Sequence, residues 1–462
     1  MGFFYCLFSA AVLIDGDELQ YDTIAKNLAK NNVFSREHTP PFHPTINREP
    51  LYPLFLASIY KVFNDSLLAA RIAQSLVFSL TIIVFYSITL KLTDDRIAFC
   101  SSIVSILCPP LANYTSYILS ETLFIFLLVV FVYVSTMMKS RQTNKNFVAS
   151  GIILGLLTLF KAQMLYFLPF LILCIIVLKF EKGVFLPILL VVISFFITLL
   201  PWLYRNYYLF DTWKITGQRA GMVLNARAMK ISYNLIDYKN TAVYYFSEEL
   251  GRIVYPDAVI KSKAYMDQFN PVVEGRDNEQ FLRDLLHKKS YDLKEGTIID
   301  LKIQDLKRDG FSEMEIDSIL TNEALQKIKA RPFKYLLQTP FELIKMTAFT
   351  YLPLLNDERI TSRISVVHKR LVFLIKGLIR LIAYPILGLA VYGIYQYRSR
   401  WKEFLPVLMI VVFFNLFYGL TFGYARYAAP LIPFYIMFAT MGWFKLKERK
   451  NVAMLQQSMC IL

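Results

Sequence analysis

The stretch DGDELQYDTIAKNLAKNNVFSREHTPPFHPTINREPLYPLFLASIYKVF, from Asp15 to Phe63, lies between two long apolar segments. After its acidic start, apolar residues recur at the i, i+3, i+4, i+7 spacing of an amphipathic helix. These residues are Tyr21, Ile24, Ala25 and Leu28. We expect this helix to lie along the membrane surface. The first loop, residues 15–65, therefore does more than connect two membrane spans.

Charged residues of opposite sign lie at the starts of the two helices predicted in this loop. Asp17 and Glu18 begin the first helix, and REPLYP, residues 48–53, leads into a second apolar helix. An anion and a cation thus lie at one face of the bilayer. We interpret this pairing as an active site on that face.

The composition places the chain in the membrane. Of its 462 residues 56% are hydrophobic, with a mean hydropathy of +0.43, and several apolar runs approach the roughly 20 residues needed to cross about 30 Å of hydrocarbon. The predicted fold class is an all-α polytopic membrane protein. Its formal charge of +15 does not indicate nucleic acid, because Lys and Arg gather just outside apolar runs, as the positive-inside rule expects. These clusters are residues 139–146, 398–402 and 445–450.

About ten transmembrane helices are predicted, with interfacial helices in the first extracytoplasmic loop. Their approximate bounds are residues 1–14, 66–92, 97–117, 121–138, 147–160, 164–178, 184–203, 371–397, 404–422 and 425–444. The first run is short, so it is either a short span or a sign that the start of the chain is incomplete. Pro109 and Pro110 predict a bend or an end in the third span. With the basic clusters inside, both termini are cytoplasmic.

The composition changes between residues 204 and 370, where 26 Lys and Arg stand against 22 Asp and Glu. That segment holds 22 of the 35 acidic residues, which indicates a water-exposed, mainly helical, extracytoplasmic segment. The predicted organisation is therefore an N-terminal transmembrane catalytic module over 1–203, this segment over 204–370, and C-terminal transmembrane helices with a short cytoplasmic tail over 371–462. Within the middle segment, residues 312–315 read as a capping box that begins a helix.

Five short motifs at the ends of the apolar segments resemble those of a known family. They are D-E-x-x-Y at 17–21, R-x-P-x-Y-P at 48–53, S-E-T-L-F at 120–124, P-W-x-x-R-N at 201–206 and R-Y-x-x-P-x-x-P at 426–433. The chain resembles the polytopic GT-C-type glycosyltransferases that use polyprenyl-phosphate sugars, the protein O-mannosyltransferase and lipid A aminoarabinose transferase group. This resemblance implies an inverting transfer of a sugar from a lipid-phosphate donor to a lipid, glycan or protein acceptor. It also implies a cell (inner) membrane location. The positive-inside pattern, read without the resemblance, places Asp17, Arg48, Glu121, Arg205 and Arg426 together on the extracytoplasmic face.

Such a transfer needs a base for the acceptor and cations for the departing phosphate. With the resemblance, Asp17 is the candidate base, and Asp15 is the fallback because D-G-D leaves the assignment uncertain by two residues. Glu121 is the third catalytic candidate, since the family has an acidic residue at this place. The alternative for Asp17 is a helix N-cap with Gln20 at N3. Glu121 is equally interpretable as a carboxylate that favours a helix N-terminus.

Four basic residues at the same face are candidates for binding the donor phosphate. They are Arg48, Arg205, Arg426 and Lys161. An arginine presents a guanidinium fork that suits phosphate. The alternative is that the arginines are cationic flanks of spans, with side chains that reach towards water, and that Lys161 is a simple anchor.

The remaining motif residues are assigned to an acceptor or sugar site: Glu18, Tyr21, Tyr52 and Tyr427. In some members of the family a metal lies near the acidic residue at the place of Glu121. A divalent metal therefore stays open, and no cofactor is assigned. His38 and His43 are interpreted as loop histidines, because the prolines between them force an extended chain and no third ligand is near.

A secondary transporter or lipid flippase is the alternative function. Such proteins more often carry charges near the midpoints of spans, or interrupted helices in two related halves. Here most charges lie at one rim, apart from Lys376 and Arg380, and the sequence has no evident internal repeat. The pattern favours the transferase.

Overall fold

The computed structural model describes residues 16–140, 142–178, 183–217, 219–233, 238–239, 243, 295–347 and 366–459. Over these residues the regular secondary structure is helical, without strands. The chain is a polytopic helical membrane protein, as its sequence predicts. The predicted first span, residues 1–14, and the fallback base Asp15 lie outside the described residues.

Two helices of the first loop pack on each other, α1 (Asp17–Asn31) and α2 (Leu51–Phe63). At 13 residues, α2 is only about 20 Å long, which is too short to cross a bilayer. The hydroxyl of Tyr60 donates to Asp22 Oδ1 at 2.8 Å, and the amide of Asn27 donates to the Ser35 and Glu37 carbonyls at 3.0 and 2.8 Å. The buried face of α1 is therefore partly polar, and its polar groups fix the return of the loop.

Among the described residues, seven helices follow the first loop up to Phe210. They are α3 (Leu67–Leu92), α4 (Asp95–Leu107), α5 (Pro109–Asn113), α6 (Glu121–Ser140), α7 (Asn144–Phe160), α8 (Leu168–Leu178) and α9 (Phe185–Phe210). A 3-10 segment, Ala162–Phe167, precedes α8. The axis bends by 54° between α4 and the segment Pro109–Ser116, because proline lacks an N–H and clashes with the preceding turn. The predicted bend is confirmed.

The chain forms two compact units. The first comprises residues 1–215, 349–413 and 428–462, and the second comprises residues 216–348 and 414–427. The domain boundaries drawn from the sequence, at 203/204 and 370/371, stay predictions.

The second unit contains short helices around an apolar cluster. They are α10 (Arg219–Met229), α11 (Glu295–Arg308), α12 (Glu313–Ala330), α13 (Pro332–Leu337) and α14 (Thr339–Thr347). Ala226, Met229 and Leu320 are among the buried side chains of the cluster. The capping box at Ser312 and Glu315 is confirmed, since each side chain bonds to the backbone N–H of the other.

The chain ends in α15 (Val366–Gln396), α16 (Leu405–Leu420) and α17 (Ile432–Met459). The predicted last span is in part a 3-10 segment, Ala425–Leu431. The helix that follows continues beyond the predicted end at 444, through the basic run 445–450.

Within the described residues, five helices are long and apolar enough to cross a membrane, or six if the bent pair counts as one span. They are Leu67–Leu92, Glu121–Met138, Phe185–Phe210, Gly377–Gln396 and Ala425–Asn451, with Asp95–Leu107 and Pro109–Ser116 as the bent pair. Asn144–Phe160, Ala162–Leu178 and Leu405–Leu420 are shorter apolar helices. Each span predicted after the first thus coincides with one of these helices, although several are shorter than a full crossing.

The basic ends of the first unit come together away from the first loop. Arg400 Nη2 donates to the Leu92 carbonyl at 3.1 Å, and Lys91 Nζ lies 2.8 Å from Met137 Sδ. The end of α3, the end of α6 and the segment after α15 therefore share one end of the unit. This agrees with alternating helix directions.

Helices α15 and α17 approach closely at two glycines. A Cβ on Gly393 would collide with the carbonyl oxygen of Phe438, and a Cβ on Gly442 would collide with that of Leu389. Gly388, on the same helix as Gly393, has nothing within 4 Å of its Cβ position. Small residues thus let these two backbones meet, as in other packed membrane helices.

Replacement of these glycines by alanine should separate packing from helix propensity. Alanine gains up to about 1 kcal/mol over glycine in a helix interior, so Gly388→Ala should leave the melting temperature unchanged or raise it. Gly393→Ala should lower it, because overpacking costs about 1–3 kcal/mol. Thermal unfolding of the purified protein, followed by circular dichroism, measures the difference. Equal melting temperatures for the two variants would contradict the close approach.

Candidate active site

The start of α1 meets the loop before α2 through a buried arginine. Arg48 Nη2 donates to Asp17 Oδ1 at 2.5 Å and to Gln20 Oε1 at 2.6 Å, and its Nε donates to the same Gln20 oxygen at 2.8 Å. Arg48 is 2% exposed, whereas the side chain of Asp17 is 25% exposed. The structure therefore brings the candidate base and a candidate phosphate ligand together, with the carboxylate on the accessible side.

This geometry corrects two alternatives drawn from the sequence. The N-cap of α1 is Gly16, with φ 56° and no side-chain cap, so the interpretation of Asp17 as the N-cap is wrong. Glycine adopts this left-handed conformation without strain, and Asp17 becomes the first helical residue with its carboxylate on Arg48. The interpretation of Arg48 as a cationic flank that reaches towards water is also wrong, because its side chain is buried and bonded to Asp17 and Gln20.

Aromatic rings surround the guanidinium. Arg48 Cζ lies 4.9 Å from the ring centroid of Tyr21, and Tyr21 packs edge-on against Tyr52, with centroids 4.9 Å apart. Within the described part of the chain, Arg48 Nη1 is buried without a hydrogen-bond partner. A buried charged donor gains strongly from an acceptor, so this N–H can bind an anionic oxygen.

A second buried ion pair links the start of α6 to the end of α7. Lys161 Nζ donates to Glu121 Oε1 at 3.0 Å, and the two residues are 9% and 1% exposed. Lys161 has extended backbone between α7 and the 3-10 segment, and its Nζ lies 5.2 Å from the ring centroid of Phe124. Glu121 lies in the first turn of its helix, where the macrodipole favours an anion.

The segment around Arg48 also contacts Arg205 and Ala162, the residue after Lys161. Glu49 Oε1 accepts the N–H of Ala162, the neighbour of Lys161, at 3.2 Å. Arg205 Nη1 donates to the Thr45 carbonyl at 3.2 Å, and its guanidinium lies 4.5 Å from the ring centroid of Trp202. Residues 45–49 therefore join the ends of α7 and α9 to the Asp17–Arg48 pair.

Sequence reasoning missed Gln74, a fully buried amide in α3. Its Oε1 accepts the Tyr52 hydroxyl at 2.8 Å, and its Nε2 donates to the Thr115 and Tyr117 carbonyls at 3.1 and 2.8 Å. Gln74 thus fixes Tyr52 and the turn that leads into Glu121. The sequence feature that could have identified Gln74 is its polar amide within an apolar run, because a buried amide requires a hydrogen-bond partner inside the protein.

Tyr52 stays protonated in this environment. Burial raises the pKa of the Tyr52 phenol, and nearby Tyr60, Glu18, Tyr21 and Glu121 raise it further. The phenol is therefore a hydrogen-bond donor. Glu18 is itself 8% exposed on α1.

Arg426 and Tyr427 belong to the second unit. The Tyr427 ring stacks on Tyr418, with centroids 4.4 Å apart and an interplanar angle of 14°, and Arg426 Cζ lies 5.9 Å from the Tyr427 centroid. Their assignments to the phosphate site and to the acceptor or sugar site stay predictions.

The described residues contain no group of three or more His, Cys, Asp and Glu side chains placed to share a metal ion. His43 Nδ1 lies 2.8 Å from Glu37 Oε1, and His38 Nδ1 lies 3.5 Å from Thr23 Oγ1. These two histidines therefore make local contacts in the first loop. No cofactor is assigned on this arrangement.

Comparison with known proteins finds a family match over part of the chain. Residues 43–204 match the family described as dolichyl-phosphate-mannose-protein mannosyltransferase. No curated protein sequence matches the chain.

Three solved structures are similar to the chain at low identity. The oligosaccharyltransferase AglB from Archaeoglobus fulgidus, in complex with an inhibitory peptide and a dolichol-phosphate, has 13% identity and a TM-score of 0.47, covering 99% of this chain and 51% of that one. A second oligosaccharyltransferase structure from Archaeoglobus fulgidus, with Zn and sulfate, has 12% identity and a TM-score of 0.48, covering 99% and 50%. ArnT from Cupriavidus metallidurans, bound to undecaprenyl phosphate, has 12% identity and a TM-score of 0.39, covering 96% and 75%.

The chain thus spans about half the length of the oligosaccharyltransferases. The family match covers about a third of the chain and includes Arg48, Glu121 and Lys161. Over residues 43–204 it confirms the resemblance of this chain to the polytopic GT-C-type glycosyltransferases that use polyprenyl-phosphate sugars.

Proposed function

We propose that the protein is an inverting glycosyltransferase that moves a sugar from a polyprenyl-phosphate donor to an acceptor at the extracytoplasmic face. The observation that carries the proposal is the pairing of the accessible Asp17 carboxylate with the buried Arg48 guanidinium. The family match over residues 43–204 supports the class of donor. The acceptor is a lipid, a glycan or a protein.

Asp17 acts as the base in this proposal. Its partly exposed carboxylate takes the proton of the acceptor nucleophile as that nucleophile attacks the anomeric carbon. The bond between the sugar and the phosphate breaks on the opposite side in the same step, so the configuration inverts. The polyprenyl phosphate leaves as an anion and requires no proton.

Cations bind that leaving anion. Arg48 holds Asp17 through Nη2 and leaves Nη1 for a phosphate oxygen, so one guanidinium orients the base and the leaving group together. Lys161 supplies a second charge, and Glu121 holds it in place at 3.0 Å. Arg205, fixed on the Thr45 carbonyl, is the third phosphate candidate in this unit.

A secondary transporter or lipid flippase is the second candidate function. The observation that favours it is Arg380, a charged residue 7% exposed within the candidate span Gly377–Gln396, since charges inside spans often mark transport pathways. Transfer by the purified protein separates the two functions, because a transporter moves the lipid-linked sugar without changing it. Mass spectrometry of the lipid-linked sugars that accumulate in a deletion strain would name the donor.

The first functional prediction concerns Asp17→Asn. The amide oxygen still accepts a hydrogen bond from Arg48, and Gly16 still caps α1, so folding should be preserved. An amide cannot take the proton of the acceptor, so turnover should fall by roughly 100 to 10,000-fold. Purified protein with a lipid-phosphate sugar donor gives the rate.

Asp94→Asn is the matched control for Asp17→Asn. Asp94 also lies at a helix N-terminus, where its carboxylate accepts the N–H of Ile97 at 3.0 Å. It follows the C-terminal end of α3, whereas Gln74, next to the site, lies towards the N-terminal end of that helix. Asparagine caps a helix about as well as aspartate, so turnover should not change. Asp15→Asn should be milder than Asp17→Asn. Normal turnover by Asp17→Asn would refute the base assignment.

The second functional prediction concerns Arg48→Lys. Lysine keeps the charge but loses the planar fork that bonds Asp17 and Gln20 together. We expect the apparent KM for the donor to rise about tenfold or more, with weaker inhibition by free polyprenyl phosphate. Arg48→Ala is the poorer variant, because removal of one partner of a buried pair costs about 3–5 kcal/mol. Arg400→Lys, at an exposed pair with Glu403, is the control, and equal donor KM values in the two lysine variants would argue against phosphate binding by Arg48.

The third functional prediction concerns sidedness. Thr39 and Asn144 are both exposed, the first in the loop that carries the site and the second at the start of α7. With the native cysteines replaced, cysteine at 39 should react with an impermeant thiol reagent in intact cells, whereas cysteine at 144 should react only after permeabilisation. The reverse pattern would place the site on the cytoplasmic face.

A further inference from the structure

The short helix α13 of the second unit exposes large apolar side chains. Phe333, Leu336 and Leu337 are 81%, 52% and 68% exposed, whereas Tyr335 is 7% exposed. Three large apolar residues in six positions make a patch that water does not favour, and such patches mark interaction surfaces. The exposed side chains of Phe333, Leu336 and Leu337 therefore need a partner surface that shields them from water.

Helix α13 is fixed to the last turn of α16, an apolar helix predicted as a span. The hydroxyl of Tyr335 donates to the Leu420 carbonyl. Arg227, fully buried, donates to the Gly419 carbonyl and, at 3.1 Å, to the Tyr335 carbonyl. Because α16 ends at Leu420, these contacts hold α13 at the level where an apolar helix leaves the hydrocarbon.

Contacts made by the residues after Leu420 hold α14, the helix that follows α13, in place. Glu342, on α14, accepts the N–H of Gly423 at 2.7 Å and the ammonium of Lys230 at 2.6 Å. Glu342 and Lys230 are both buried. Residues 335–342 are therefore bonded to the chain on both sides of the end of α16.

The charges around the patch are basic. Residues 326–337 contain four Lys and Arg and no Asp or Glu, and Arg331 and Lys334 are exposed. A short apolar face flanked by basic side chains is typical of helices that lie in the headgroup region of a membrane. Basic residues there gain about 1 kcal/mol each from anionic lipids.

We propose that α13 is a membrane-docking element. Phe333, Leu336 and Leu337 insert into the boundary between headgroups and acyl chains of the leaflet where α16 ends, while Arg331 and Lys334 contact lipid phosphates. This surface is independent of the glycosyltransferase proposal. It anchors the second unit at a fixed depth beside the end of α16.

Depth-dependent quenching tests this docking on the full chain in vesicles. With the native cysteines replaced, Phe333→Cys carries a bimane label, and Gln326→Cys, exposed on α12, is the matched control. A nitroxide on the phosphatidylcholine headgroup should quench the label at 333 at least threefold more than the label at 326. Aqueous iodide should show the opposite order. Both sites are exposed, so folding should not change.

Two outcomes would overturn the proposal. Lipid quenching at 333 as weak as at 326, with equal quenching by iodide, would place the patch in water. Shielding of 333 from both quenchers would show a protein occupant, such as a second copy of the chain.

The basic residues give a second measurement. The double variant Arg331→Gln, Lys334→Gln should lose the difference in quenching between vesicles that contain phosphatidylglycerol and vesicles of phosphatidylcholine alone. An unchanged difference would remove the lipid-phosphate contact from the proposal.

Discussion

A buried guanidinium has to be paired, and the pairing of Arg48 determines where the first loop lies. Leaving such a charge without partners costs several kcal/mol, so α1 must bring Asp17 and Gln20 to it. Neighbours of Arg48 then make the remaining connections, because Thr45 accepts from Arg205, Glu49 accepts from Ala162 and Tyr52 donates to Gln74. Eight residues, 45–52, thereby contact three other parts of the first unit.

The two ion pairs of the site have the same arrangement, with the carboxylate at the start of a helix and the cation outside a helix. Each carboxylate lies in the first turn of a helix, Asp17 on α1 and Glu121 on α6, where the macrodipole favours an anion. Each cation lies outside a helix, where the backbone can turn its side chain towards that anion. Arg48 precedes α2 and Lys161 separates α7 from the 3-10 segment. Each carboxylate is therefore held by a cation from another part of the first unit, and in the proposed mechanism the leaving phosphate shares Arg48 with Asp17.

The sequence was sufficient for features that depend on neighbouring residues. The apolar runs predicted the helices that follow the first loop, the proline pair at 109–110 predicted the bend, and Ser312 with Glu315 predicted a capping box. The sequence placed Asp17 and Arg48 at one face, but the bonds of Arg48 to Gln20 and of Lys161 to Glu121 were not predictable, because these partners lie 28 and 40 residues away. Gln74 was missed for the same reason, since its partners are on α2 and before α6. The alternative interpretation of Asp17 as the N-cap rested on its carboxylate, which fits that role, whereas the N-cap is Gly16, the residue before it.

The second unit shows a different way to bury a charge. Arg227 bonds to carbonyls at the end of α16 and at Tyr335 and to the hydroxyl of Thr339, rather than to a carboxylate. The last carbonyls of a helix lack partners within the helix and carry the negative end of its dipole, so a cation there satisfies groups that otherwise need water. Burial lowers the pKa of Arg227, and Tyr335 and Glu342 oppose that shift. Arg227 thus satisfies carbonyls at the end of α16 and at Tyr335 without a buried carboxylate for each of them. The same contacts fix α13 beside the end of α16, while Phe333, Leu336 and Leu337 stay exposed.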